Sequence, residues 1–171
     1  SWDLKDDTRT FENIEAVEIS GAYTVNIKIG SENKVFIYAD DNLIPLIKTK
    51  FKNSVLSIYS DKDLNPSDDI IINITVTDLN SIVSSGASNI SSTVIESEEF
   101  NIELSGAGSI EVSGKVKKLN ISMSGAGSIN SKKLIADNVS INVSGVGNAE
   151  INAQVSLQAQ LSGVGNIEYV G

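Results

Sequence analysis

The sequence predicts an all-β chain folded as a right-handed parallel β-helix, a β-solenoid with about 19 residues in each coil. Three observations predict this fold. A glycine-rich hexapeptide recurs at nearly constant spacing, apolar residues alternate with polar ones around each copy, and helical spacing is not sustained after residue 70. Because one coil cannot bury its inward side chains alone, such coils stack into a continuous core.

The hexapeptide marks the coils. The first serines of its five copies stand at positions 85, 105, 124, 144 and 162, so the successive spacings are 20, 19, 20 and 18 residues. The copies are Ser85–Ile90, Ser105–Ile110, Ser124–Ile129, Ser144–Ala149 and Ser162–Ile167. Glycine permits positive φ and close backbone approach, so each copy is predicted to be a corner between strands. A second, weaker corner is predicted near Ser113 and Gly114.

Aligning the coils places apolar residues in five columns, and each column is expected to point inward. The columns are Phe100, Leu119, Val139 and Leu157; Ile102, Ile121, Ile141 and Ala159; Leu104, Met123, Val143 and Leu161; Ala107, Ala126, Val146 and Val164; and Ile110, Ile129, Ala149 and Ile167. Same-sense crossovers between parallel strands are nearly always right-handed. The strict six-residue repetition of left-handed hexapeptide helices is missing, so the right-handed form is favoured.

The first half of the chain is less regular than the repeats. We divide the chain into an N-terminal segment (residues 1–10), an irregular β-rich half (residues 11–78) and the regular repeats (residues 79–171). An open solenoid end exposes unpaired backbone groups, so the irregular half is expected to act as a cap or as larger coils continuous with the repeats. A separate β-domain is the alternative.

Composition narrows the range of functions. The chain has no cysteine and no histidine, which removes disulfides, thiolate chemistry and the commonest general base. Its formal net charge of −9 repels polyanions, so no nucleic-acid partner is expected. No apolar run is long enough for a transmembrane helix, and a signal segment, if the protein is exported, would precede Ser1.

Acidic residues are the remaining candidates for catalysis or metal binding. Two clusters stand out: Glu96, Glu98 and Glu99, and, around Pro66, Asp61, Asp63, Asp68 and Asp69. The first is interpreted as a solvated turn. The second lacks the spacing of an EF-hand or of a calcium-binding nonapeptide, and is interpreted as an acidic loop. In the regular coils, no two equivalent positions in adjacent coils are expected to carry acids. The sequence therefore predicts no catalytic, cofactor or metal site.

Exposed polar and aromatic residues are the candidates for ligand contact. The predicted ligand-facing residues are a polar ladder, Asn89, Ser109, Ser128, Asn148 and Asn166, and the aromatic residues of the first half, Trp2, Tyr23, Tyr38 and Tyr59. Aromatic rings are the usual platforms for sugars. Such a ladder can also serve only to stabilise the stack through side-chain hydrogen bonds.

The ordered first half, together with the late glycine-serine copies, resembles a known family. Phe11–Ile14 leads into Val17–Ala22, and Asp40–Leu43 and Val55–Ile58 follow in order. Over roughly residues 8–170 the chain is similar to the bacterial putative auto-transporter adhesin, head GIN domain family. The resemblance implies an extracytoplasmic β-helix (periplasm, outer membrane or cell surface), often on exported or lipid-anchored proteins of Gram-negative bacteria. A lipid-attachment cysteine would lie upstream of Ser1.

Three functions follow as hypotheses. The first is a non-catalytic extracytoplasmic module for adhesion or interaction with the cell envelope, with a glycan or a cell-envelope protein as partner. The second is a carbohydrate-binding or carbohydrate-active β-helix. The third is a structural spacer that forms homo-oligomers through the solenoid end, because Asn166–Gly171 carries little of the charge or proline that protects an edge.

Overall fold

The computed structural model describes residues 4–65 and 69–171, and within them the chain is almost entirely β-structure. One short 3-10 helix, Ile44–Leu46, interrupts the strands. The strands are β1 (Leu4–Thr10), β2 (Ala16–Gly21), β3 (Thr24–Ile29), β4 (Lys34–Asp40), β5 (Ile47–Lys52), β6 (Val55–Ser60), β7 (Ile71–Val76), β8 (Ser81–Gly86), β9 (Asn89–Leu104), β10 (Ser109–Met123), β11 (Ser128–Val143), β12 (Asn148–Leu161) and β13 (Asn166–Val170).

The predicted right-handed parallel β-helix is wrong. The described strands form one 13-stranded mixed sheet that curls into a half-barrel. Strand β4 runs antiparallel to both β1 and β7, and β5 runs antiparallel to β6. The turn between β5 and β6 shows the physical reason: Asn53 and Ser54 both have positive φ, 53° and 63°. Two consecutive residues with positive φ form the tight hairpin turn that reverses a strand, which an all-parallel helix does not contain.

Parallel pairing joins the strands of the second half. Ile121 of β10 lies between Ile102 of β9 and Ile141 of β11 as Cα partners, and all three are buried. Each of these strands is long and continuous, with 16, 15 and 16 residues in β9, β10 and β11. The weaker corner predicted near Ser113 and Gly114 is instead a register shift within β10. A bulge of this kind bends a strand without ending it, which is how the sheet curls.

One predicted inward column points outward. Ala107 and Ala126 are exposed, and the exposed fractions of Val146 and Val164 are 54% and 78%. The glycine before each of these residues has positive φ, for example 86° at Gly125. This conformation interrupts the alternation of side chains between the two faces, so the residue after the glycine faces solvent. The alternation of inward and outward side chains therefore does not continue through the corner from one strand to the next.

Strand β9 connects the two halves of the sheet. Its first residues pair with β3, and its last residues pair with β8. Two branches thus diverge from β9: β3, β7, β4 and β1 in one, and β8, β2, β6 and β5 in the other. Beyond β9 the sheet continues through β10, β11, β12 and β13. The first branch places the aromatic residues of β4 in the same sheet as the polar ladder.

Replacing a corner glycine should destabilise the fold. In Gly125→Ala, the new Cβ would lie 2.4 Å from the carbonyl oxygen of Gly106, and φ at this position is 86°. The strained backbone alone costs about 1–3 kcal/mol, and relief of the clash adds to it. We expect urea unfolding to show a loss of at least about 2 kcal/mol. Ser124→Ala, an exposed neighbour, is the control and should change stability by less than about 0.5 kcal/mol. Equal stability of the two variants would contradict the corner geometry.

Candidate functional site

One row of residues crosses the outer surface of the sheet and contains six of the predicted ligand-facing residues. Successive Cα partners in this row, from β1 to β13, are Asp6, Tyr38, Ile71, Thr24, Asn89, Ser109, Ser128, Asn148 and Asn166. Tyr38 thus shares a row with the whole polar ladder. Strands in a sheet are about 4.8 Å apart, so the nine positions span about 38 Å.

A second row runs beside the first, two residues further along each parallel strand. Its members are Thr8, Phe36, Asn73, Asn26, Ser91, Glu111, Asn130, Glu150 and Glu168. Residues two positions apart in a strand lie on the same face of a sheet. We call the two rows together the polar face. Its side chains are exposed or partly exposed, with two aromatic rings towards one end and two glutamates at the other.

Side-chain hydrogen bonds order the central part of the polar face. Asn26 donates from Nδ2 to Oδ1 of Asn73 at 3.0 Å, and Ser91 donates to Oδ1 of Asn26 at 3.0 Å. Ser109 donates to Oδ1 of Asn89 at 2.8 Å. These bonds hold the amide groups of Asn26, Asn73 and Asn89 in fixed orientations.

The C-terminal end of the polar face forms a shallow groove with a volume of about 510 Å³. The side chains that line it come from three adjacent strands: Ser128, Asn130, Asn148, Glu150, Asn166 and Glu168. Lys132 contacts Glu150, with 3.5 Å between Nζ and Oε1. The expectation that adjacent coils never carry acids at equivalent positions is wrong here. Glu150 and Glu168 are Cα partners because each follows the ladder asparagine of its strand by two residues.

The polar face was only partly predictable from the sequence. Glu111, Asn130, Glu150 and Glu168 follow the ladder residues by two positions, and this spacing alone could have assigned them to the same face. The contributions of β3, β4 and β7, including Phe36, depend on pairing between distant segments. No local sequence signal identifies that pairing.

Tyr23 and Tyr59 lie outside the polar face, and Trp2 lies outside the described residues. Tyr23 is only 4% exposed, and its hydroxyl has no hydrogen-bond partner within the described part of the chain. Its ring lies over Gly21 and lines a cleft of about 580 Å³ beside the first corner. Burial raises the pKa of the Tyr23 phenol above its ordinary value of 10.0. Tyr59 is partly exposed on the other branch, next to Lys48 of β5.

The two acidic clusters form no group that could hold a metal ion in the part of the chain that the structure describes. Glu98 and Glu99 pair with Lys117 and Lys118 of the adjacent strand at 3.5 and 3.8 Å. These are exposed ion pairs, which contribute little to stability. Asp68 and Pro66 of the second cluster lie outside the described residues. Within residues 4–65 and 69–171, no three Asp or Glu residues are grouped so that they could hold a metal ion.

The sequence profile of one family matches residues 13–171, nearly the whole chain. That family is described as the putative auto-transporter adhesin, head GIN domain. The chain belongs to this family. The resemblance noted from Phe11–Ile14 and the glycine-serine copies is therefore confirmed. None of the curated proteins compared matches this head GIN domain chain.

Solved structures share the fold of this head GIN domain chain. A putative adhesin from Bacteroides fragilis has a TM-score of 0.76 at 18% identity, and the match covers 99% of this chain and 98% of the other. A putative adhesin from Parabacteroides merdae has a TM-score of 0.63 at 18% identity, covering 98% and 96%. A putative lipid binding protein from Parabacteroides distasonis has a TM-score of 0.50 at 15% identity, covering 98% and 97%. At these identities the likeness concerns the fold alone.

The described part of the chain has no helix long and apolar enough to cross a membrane.

Removing the Tyr23 hydroxyl should not weaken the protein. A buried hydroxyl without a partner costs about 1–3 kcal/mol, so Tyr23→Phe is expected to leave stability at neutral pH unchanged or raise it by about 1 kcal/mol. The pKa of Tyr23 is raised on folding, so its contribution is complete below pH 10.0 and decreases as the pH rises through the raised value. Thermal unfolding between neutral and strongly alkaline pH should therefore show a smaller alkaline loss in Tyr23→Phe. A clear loss of stability at neutral pH would show that the hydroxyl is bonded.

Proposed function

We propose that this chain is a non-catalytic, extracytoplasmic adhesion module that binds carbohydrate along its polar face. Membership of an adhesin family supports the adhesive role and a place outside the cytoplasm. One observation supports this ligand class: Phe36 and Tyr38 share their rows with eight other strands, whose outward side chains are mostly amides, hydroxyls and carboxylates.

The chemistry of the polar face matches that of a glycan. Asparagine amides donate and accept hydrogen bonds, serine hydroxyls do both, and carboxylates accept strongly from sugar hydroxyls. An aromatic ring binds the apolar face of a pyranose. A regular spacing of about 4.8 Å between strands presents the same groups repeatedly to an extended ligand. A linear glycan fits such a surface better than a small molecule does, because the face is long and open.

The pair Glu150 and Glu168 supports a second candidate, a carbohydrate-active enzyme. Retaining glycosidases hold two carboxyl groups about 5–5.5 Å apart, a separation close to that of neighbouring strand positions. The pair lies on an open groove, and Glu150 also contacts Lys132. An enclosed site that excludes water is the usual setting for such chemistry, so we favour binding without cleavage.

The proposal predicts glycan binding that depends on the polar face. Labelled protein is screened on a glycan array, and the best ligand is then titrated by calorimetry. We expect Tyr38→Ala and Asn148→Ala to weaken binding at least about tenfold, because each removes about 1.4 kcal/mol or more of contact energy. Tyr59→Ala and Asn142→Ala, an aromatic and an asparagine outside the polar face, are the matched controls and should bind as the wild type does.

Two results would contradict the proposal. One is the absence of any bound glycan on the array, and the other is an equal loss of binding in the control variants. Mass spectrometry of the bound glycan after prolonged incubation separates binding from cleavage. An intact glycan supports a binding module, whereas cleavage that is abolished in Glu150→Gln and Glu168→Gln would support the enzyme.

A further inference from the structure

The second half of strand β12 is an open sheet edge. Residues Ser156–Leu161 pair on one side with Asn138–Val143 of β11. On the other side, β13 covers only Asn148–Asn152. Within residues 4–65 and 69–171, no strand pairs with the second side of Ser156–Leu161. The edge therefore presents a row of backbone donors and acceptors to solvent.

The same edge leaves apolar side chains uncovered. Val139, Ile141 and Val143 of β11 are buried, but their partners in β12 are not equally covered. Leu157 is partly buried and Ala159 is exposed. Leu161 is 48% exposed, whereas its partner Val143 is 0% exposed. One more strand over this edge would bury these side chains.

Charge distinguishes this edge from the two at the other end of the sheet. Strand β1 carries Lys5, Asp6, Asp7 and Arg9, and strand β5 carries Lys48, Lys50 and Lys52. Charged side chains on an edge strand prevent pairing with another chain. In contrast, residues 151–167 contain no charged side chain. The edge at β12 thus lacks the protection that the other edges have.

The order of residues along this edge is palindromic. Residues 156–162 read Ser-Leu-Gln-Ala-Gln-Leu-Ser, which is the same in both directions. Two-fold symmetric interfaces require a surface that is complementary to itself. If two copies of this segment pair antiparallel about Ala159, Leu157 lies opposite Leu161, Gln158 opposite Gln160, and Ser156 opposite Ser162. Apolar residues then face apolar residues, and amides face amides.

We propose that a second copy of this chain covers the β12 edge, forming a two-fold dimer through antiparallel pairing of residues 156–162 centred on Ala159. The two sheets then form one continuous sheet, and the apolar core of one copy is continuous with that of the other. This inference is independent of the glycan proposal, since it uses a different surface.

The first test is the mass of the protein in solution. Sedimentation velocity from about 1 µM to about 1 mM, the range of weak to moderate association, should show a monomer–dimer equilibrium for the wild type. Ala159→Lys places two ammonium groups opposite each other at the two-fold axis, so it should weaken dimerisation at least about tenfold. Ala159 is exposed, so the lysine does not disturb the fold. Thr8→Lys, on the exposed edge strand β1, is the matched control and should dimerise normally.

The second test determines the register. The chain has no cysteine, so an introduced cysteine can form a disulfide only with the cysteine introduced into another copy. Ala159→Cys should form an intermolecular disulfide on oxidation, because the two positions are directly opposite. Leu157→Cys alone should not, but a mixture of Leu157→Cys and Leu161→Cys should. A monomer at every concentration, a dimer unaffected by Ala159→Lys, or loss of the dimer in Thr8→Lys would each overturn the proposal.

Discussion

The close contact between backbones at successive corners is the constraint on which the second half of the structure depends. The amide of Ala126 donates to the carbonyl of Gly106 at 2.8 Å, and the amide of Val146 donates to that of Gly125 at 2.9 Å. These bonds continue the pairing of the strands through the turns. A β-carbon on the glycines would occupy the space of the neighbouring carbonyl oxygen. The corners fix where each strand begins, and this sets the in-register burial of Ile102, Ile121 and Ile141.

The polar face follows from the same register on the opposite side of each strand. Since side chains alternate between faces, a register that stacks aliphatic residues inside necessarily stacks their polar neighbours outside. Ser109 and Ser128 are therefore aligned as strictly as Ile110 and Ile129. In the first half, β3 and β7 extend the same rows to Phe36 and Tyr38. The regular spacing of the polar face is therefore set by the paired strands and not by loops.

Local patterns predicted much of the repeat but not the topology of the sheet. Alternation and spacing correctly identified Ile102 and Ile141 as the partners of Ile121. They succeeded here because the turns between neighbouring strands have similar lengths. They failed at Ala126 and Val146, since positive φ at the preceding glycine interrupts the alternation on which the prediction relied. They did not reveal the antiparallel pairing of β5 and β6, which the positive φ of Asn53 and Ser54 makes possible. The polar ladder was visible as a pattern, whereas its junction with Tyr38 requires pairing between segments far apart in the chain.

The position of β9 affects the order in which this protein can fold. Thr24 pairs with Ile71 of β7 and with Asn89 of β9, so β3 acquires its second neighbour only after β9 has been added. The branch through β8 likewise joins the rest of the sheet through Ser81 and Asn101. Contacts between such distant residues are slow to form, because closing a long loop costs entropy before any burial rewards it. In a nascent chain each branch can thus pair within itself, as β4 does with β1 and β6 with β5, but the two branches are joined to each other only once β9 emerges.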